Sequence, residues 1–202
     1  MRGRLIVVSG PSGAGKSTLI RAALDAVPEL AYSVSATTRE PRPGEVDGRD
    51  YVFLTREEFE SWIEEGRFLE YAEYSGNFYG TPEQGVEEFL DEGRSVILEI
   101  ELQGARQVRR KRPDAAMVFV RAPSLDETRR RLTGRATETE EAMETRLATA
   151  VEEVAARDEF DYEVINGDRD RARKDMIEIM ESIVTGGEDA ARPQDRRATG
   201  QG

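Results

Sequence analysis

The 202-residue chain contains no cysteine and no histidine. The first absence excludes disulfides, thiolate metal sites and cysteine nucleophiles. The second excludes imidazole acid–base chemistry and every histidine-based triad or metal site. Chemistry is left to Lys, Arg, carboxylates, hydroxyls and backbone amides, a set that suits phosphoryl transfer, where positioning and charge stabilisation do most of the work. Lysine is scarce too, with Lys16, Lys111 and Lys174 set against 26 arginines, a bias that fits a GC-rich genome. No apolar run reaches the eighteen or so residues of a membrane span. The short run at 5–8 behind Met1-Arg2-Gly3-Arg4 leads straight into glycines and a lysine, so a secretory signal is not expected. A formal net charge of −12 argues against nucleic-acid binding, since phosphate backbones reward basic surfaces. Adaptation to high salt is the other reading of so acidic a surface.

With 38% hydrophobic and 35% charged residues, the length suits one domain with a sizeable core. The apolar runs at 5–9, 95–100 and 116–120 predict buried parallel strands, with a last short strand at 162–165. Helical spacing of Leu19, Ile20, Ala23, Leu24 and Val27 predicts a helix from Ser17 that ends before Pro28. Further helices are expected at 56–65, 103–112, 125–132, 139–157 and 169–184. Between about 32 and 90 the β/α alternation gives way to polar alternation, turn residues and scattered aromatics, the pattern of an inserted α+β unit. Past Thr185 no periodicity survives, and a disordered tail is expected.

Gly10-Pro11-Ser12-Gly13-Ala14-Gly15-Lys16-Ser17 fits G-x-x-x-x-G-K-[ST] without a gap, between a predicted strand and a predicted helix. Its glycines let successive backbone N–H groups turn inward as an anion nest, and the helix start adds its positive end. Lys16 is placed to reach the β- and γ-phosphates of a nucleotide and the Ser17 hydroxyl to ligate Mg²⁺. This loop alone leaves GTPases, ATPases and small-molecule kinases open. No Asn-Lys-x-Asp guanine-reading motif is present, the nearest string being Asn166-Gly167-Asp168-Arg169. A second anion-binding stretch lies at 33–51, where Arg39 and Arg42 flank a proline and Tyr51 follows. Such residues can clamp a phosphate by charge-assisted hydrogen bonds; a solvated polar loop is the alternative.

The strings VSATTREPRPGEVDGRDY, LEYAEYSGNFYGTP, ILEIELQGA and RLTGRATETEEAMETRL, in this order, resemble the guanylate kinase family over about residues 5–184. The resemblance implies an α/β P-loop kinase fold: a central parallel sheet flanked by helices, an inserted α+β GMP-binding subdomain and a helical lid. Mapped on this chain, the domain is 1–185, with core 1–32, 92–124 and 158–185, GMP subdomain 33–91, lid 125–157 and tail 186–202. It implies transfer of the ATP γ-phosphoryl group to GMP with Mg²⁺, in cytoplasmic purine nucleotide metabolism, with no nucleic-acid or membrane partner and an open oligomeric state. ATP would lie on residues 10–17, Thr18 and Asn166. Arg39, Arg42, Tyr51 and Tyr79 would hold the GMP phosphate, and Ser35, Glu70 and Thr81 would read guanine. One carboxylate can accept from both the N1–H and the 2-amino group, a donor pair that adenine lacks. Arg131, Arg135 and Arg146 correspond to lid arginines that act with Lys16 and Arg39 on the transferring group. Ser17 would hold the metal, with Glu99 or Glu101 through water. Two positions depart from the family pattern: Glu101 replaces an aspartate and Ala136 a glycine. A catalytically dead scaffold module of the same fold and a kinase for another monophosphate are the competing readings.

Overall fold

The computed structural model describes residues 2–74, 76–133 and 149–186. The expected parallel sheet is built from β1 (Leu5–Ser9), β2 (Leu30–Tyr32), β7 (Ser95–Glu99), β8 (Ala116–Arg121) and β9 (Tyr162–Ile165) in the order β2-β7-β1-β8-β9, all parallel. β1 is central and buried along its whole length, as expected for a strand covered on both faces. Alternation sorts its side chains. Ile6 and Val8 join Ile97, Val118, Val120 and Val164 on one face, under Leu19, Ile20 and Ala23 of α1 (Lys16–Ala26) and Ala172, Met176 and Met180 of α7 (Arg169–Thr185). Leu5 and Val7 join Val96, Leu98 and Met117 on the other, under Val86 and Leu90 of α3 (Glu83–Asp91) and Ala105 and Val108 of α4 (Leu102–Lys111). Each fully buried aliphatic side chain contributes about 1.5–3 kcal/mol through removal from water.

Two of these elements lie outside the strands and helices expected from the sequence. β2 lies at the end of the first core segment, 1–32, where no strand was expected. α3 falls inside the span 33–91, yet its Val86 and Leu90 pack on the central sheet. Glu101 lies beyond the end of β7, at the extended residue that precedes α4, where its side chain makes no cap hydrogen bond.

The inserted unit is a second sheet of four strands, β3 (Ala36–Thr37), β4 (Val52–Phe53), β5 (Phe68–Tyr74) and β6 (Asn77–Pro82), ordered β4-β3-β6-β5. α2 (Arg56–Glu64) starts in a capping box in which the Thr55 side chain and Glu58 exchange hydrogen bonds with each other's backbone N–H. It drops Phe59 between Phe68 and Phe78, with ring centroids 4.4 and 5.2 Å away. Beyond β8, α5 (Leu125–Thr133) and helical residues 149–155, labelled α6, bracket the undescribed stretch. Arg135, Ala136 and Arg146, most of the helix expected at 139–157, and the expected tail beyond residue 186 lie outside the described residues.

Candidate active site

The loop between β1 and α1 turns at Gly10 and Gly15, and neither tolerates a side chain. Gly10 has φ 137°, and a Cβ there would lie 1.9 Å from the Val120 carbonyl oxygen. Gly15 has φ 89°, and a Cβ would lie 2.4 Å from Asn166 Nδ2. Gly15 is the N-cap of α1 and offers no side-chain cap, so the first-turn N–H groups of the helix find no partner in a cap side chain, and its positive end faces the loop. Lys16 is nearly buried, its Nζ donating to the Gly10 carbonyl at 2.5 Å. Pro11 and Ala14 are buried, Ser12 and Gly13 half-buried, and Ser17 and Thr18 exposed on the first turn. The Ala14 N–H closes the loop on the Pro11 carbonyl at 3.1 Å.

Two contacts tie this loop to distant parts of the chain, and each is backed by a further side chain. Asn166, just past β9, is buried and donates from Nδ2 to the Ala14 carbonyl at 2.8 Å. Arg131 in α5 donates to the Asn166 carbonyl at 2.7 Å and to Glu127 at 2.8 Å. The Ser17 hydroxyl donates to Glu99 Oε1 at 2.8 Å, while the Tyr32 hydroxyl reaches Glu99 Oε2 at 3.4 Å. A hydroxyl beside a carboxylate is a set of hard oxygen donors, and it fits Mg²⁺.

On the second sheet Arg39 is held as a fork. Its two terminal nitrogens donate to the two Glu45 oxygens at 3.0 Å each, and one also donates to the Glu40 carbonyl at 2.6 Å. Glu45 accepts in addition from the Arg42 N–H at 2.7 Å. The pairing raises the Arg39 pKa and lowers that of Glu45, with their mutual hydrogen bond the largest cause on each side. Tyr79 hydrogen-bonds the same guanidinium, which also lies 5.4 Å from the Tyr51 ring centroid. The Tyr51 and Tyr79 rings meet edge-on at 6.3 Å, and burial pushes the Tyr51 hydroxyl above its usual range. Arg42 is exposed beside them.

Thr81 stands two residues beyond Tyr79 on β6, hence on the same face of the sheet. Its hydroxyl donates to Glu70 Oε1 at 2.7 Å across the β5–β6 ladder. Glu70 is 5% exposed, and burial raises its pKa against the pull of Thr81 and Lys111. Ser35, half-buried, leads into β3, and its carbonyl accepts from the Val52 N–H. Glu101 is exposed and hydrogen-bonds Glu153 of α6, a buried carboxyl pushed up to about 7 by desolvation and by Glu101, with Lys16 pulling the other way.

Eleven of the residues named from the sequence therefore gather into four groups: Lys16, Ser17 and Glu99; Arg39, Arg42, Tyr51 and Tyr79; Glu70 and Thr81; Arg131 and Asn166; Ser35 and Glu101 stand outside them. Two charged residues that contact named site residues, Glu45 beside Arg39 and Glu153 beside Glu101, are not among the candidates read from the sequence. Glu45 was detectable as the carboxylate three residues beyond Arg42. Glu153 was detectable as an acidic residue on the apolar face of α6, three beyond Ala150.

A glycine-rich loop at the end of a central strand of a parallel sheet, with a second cluster of arginines, tyrosines and a buried carboxylate on an inserted sheet, is the architecture of a P-loop phosphotransferase. A family model described as Guanylate kinase matches residues 2–183. The chain is 80% identical to the guanylate kinase of Rubrobacter xylanophilus, over 93% of this chain and 98% of that one. It is 49% identical to that of a Synechocystis species, over 89% and 94%. A crystal structure of guanylate kinase from Anaplasma phagocytophilum superposes with a TM-score of 0.72 at 31% identity, covering 98% of this chain and 93% of that one. The chain belongs to the guanylate kinase family.

Proposed function

We propose that the chain transfers the γ-phosphoryl group of ATP to GMP, giving ADP and GDP, with ATP on the loop at 10–18 and Asn166. The carrying observation is the shared face of the inserted sheet. Tyr79, beside the Arg39 fork, and Thr81, holding the buried Glu70 carboxylate, are two residues apart on β6. A ligand with an anion at one end and paired N–H donors at the other suits that face, and guanosine monophosphate has both. A buried carboxylate left without its donors rejects adenine strongly, as polar sites reject analogues that cannot pair. Ser35 and Thr81 offer hydroxyls to the base edge, and Glu101 a further carboxylate.

Transfer needs no general base, because a phosphate monoester is largely dianionic at neutral pH, its second pKa lying near ~6. That accommodates a chain without histidine. The loop amides and Lys16 hold the donor phosphates, Arg39 and Arg42 hold the acceptor phosphate, and Arg131, Arg135 and Arg146 act from the lid. Preorganised charges of this kind stabilise the transferring group most in a water-excluded site. Mg²⁺, held through Ser17 with Glu99 or Glu101 behind water, would supply charge neutralisation on the phosphate oxygens. Among the described residues no helix is long and apolar enough to cross a membrane, and the reading carries a cytoplasmic role in purine nucleotide metabolism.

A coupled ADP-production assay with ATP and a panel of GMP, AMP, UMP and CMP tests the proposal. GMP is expected to be the preferred acceptor by orders of magnitude. No turnover with any acceptor would leave a binding module, and preference for another monophosphate would overturn the role of Glu70.

A further inference from the structure

Gly104 lies in the first turn of α4, buried directly against the Glu70 carboxyl. A Cβ at this position would stand 2.4 Å from Glu70 Oε2, 3.1 Å from its Cδ and 3.4 Å from its Cγ. Those are the three nearest atoms, and all belong to one side chain. Nothing in the backbone asks for glycine here, because Gly104 is absent from the residues with positive φ. Within a helix glycine is, moreover, a poor former compared with alanine. The remaining reason for its presence is the space it leaves. Thr81 fixes Oε1 from one side at 2.7 Å, and the bare Cα of Gly104 lets Oε2 rest against α4 on the other. The positive end of that helix favours a carboxylate in this place.

We propose that Gly104 is a specificity-determining position of the acceptor subsite: its missing side chain sets the orientation in which the buried Glu70 carboxylate meets the paired N–H donors of a guanine base. The inference rests on Glu70 reading the base, as argued above. A methyl group at 104 displaces the far end of a flexible side chain and leaves the backbone in place. Its effect therefore falls on recognition and spares the fold.

The test is a double-mutant cycle between Gly104→Ala and Glu70→Ala, with Glu70→Gln as reference. The readouts are thermal unfolding, KM for GMP and ATP, and calorimetric GMP affinity. Gly104→Ala is expected to keep or raise Tm and to leave KM for ATP within about twofold. It is expected to weaken GMP about tenfold or more, the size of one lost charge-assisted hydrogen bond. In the Glu70→Ala background no carboxyl opposes the methyl group, and the same substitution is expected to be silent. Unchanged GMP affinity in Gly104→Ala, an equal loss in both backgrounds, or a lowered Tm in the single variant would each overturn the inference. If Glu70→Gln itself leaves GMP affinity unchanged, the base-reading role fails instead, which separates the two failures.

Discussion

Replacing Glu70 by Gln is expected to move stability and acceptor recognition in opposite directions. Glu70 is 5% exposed, and its one short side-chain hydrogen bond comes from Thr81 at 2.7 Å. Burial raises its pKa above the ordinary 4.5 despite Thr81 and Lys111. For a carboxyl whose folded pKa is raised, the stability it lends is complete below the unfolded value and is lost as pH rises through the folded one. The ionised form is thus a net cost to the free protein. Glutamine keeps an oxygen for the Thr81 hydroxyl and removes the charge, so the variant should unfold at a higher Tm where Glu70 is ionised. That gain should vanish at acid pH, where both side chains are neutral. Recognition goes the other way. The amide turns a donor toward a base edge that itself donates, and two charge-assisted hydrogen bonds are weakened, together about 3 kcal/mol and roughly a hundredfold in KM for GMP. KM for ATP should hardly change. Thermal unfolding across pH and initial rates in both substrates check this; a variant destabilised at neutral pH, or one whose two KM values rise in parallel, refutes the reasoning.

Lys16→Ala should cut kcat by about 10²–10³-fold, as expected for removing one preorganised charge from the transferring group, and near-normal turnover would contradict the loop's role. Glu45→Gln should raise KM for GMP with KM for ATP unchanged, because it frees the Arg39 fork from the carboxylate that orients it; initial-rate kinetics decide, and a change confined to ATP counts against it. Glu153, pushed up to about 7 by burial and Glu101, lends stability that is complete below its unfolded value and is lost as pH rises through about 7. Glu153→Gln should therefore flatten the decline of Tm across neutral pH, and an unchanged decline would exclude the buried carboxyl as its source.

Elements whose residues answer to a local rule were legible in advance. β1, β7 and β8 are short unbroken apolar runs, and the loop at 10–17 places Gly10, Gly15 and Lys16 at fixed offsets. α3 was not, because Gly85 and three glutamates hide the spacing of Val86, Phe89 and Leu90. β2 was missed because three residues carry too little pattern, although Leu30 and Ala31 are buried beside β7. The site divides in the same way. Arg39, Arg42, Tyr51 and Glu70 stand out once the strings around them are set in order. Their partners depend on contacts that no local window contains: Asn166 meets Ala14 across 152 positions, and Gly104 makes room for a carboxylate on another sheet. Glu99 and Glu101 were both offered as carboxylates behind the metal, yet one holds Ser17 and the other meets Glu153, because the strand ends between them.

A chain with net charge −12 that handles two polyanions faces an electrostatic conflict, and the site resolves it locally. Five of the groups proposed to hold a phosphate, the metal or the base already rest on an acceptor from the chain itself: Lys16 on the Gly10 carbonyl, Ser17 on Glu99, Arg39 on Glu45, Arg131 on Glu127 and the Asn166 carbonyl, Thr81 on Glu70. These contacts fix the donors during folding, so little side-chain freedom remains to be lost when substrate arrives. They also keep isolated cations from being stranded in half-buried positions. An arginine so held presents its remaining N–H groups in one direction, which is what recognition of a tetrahedral anion requires. On this argument the acidic partners act as positioning groups, and removing one should loosen substrate geometry even though the local potential becomes more positive.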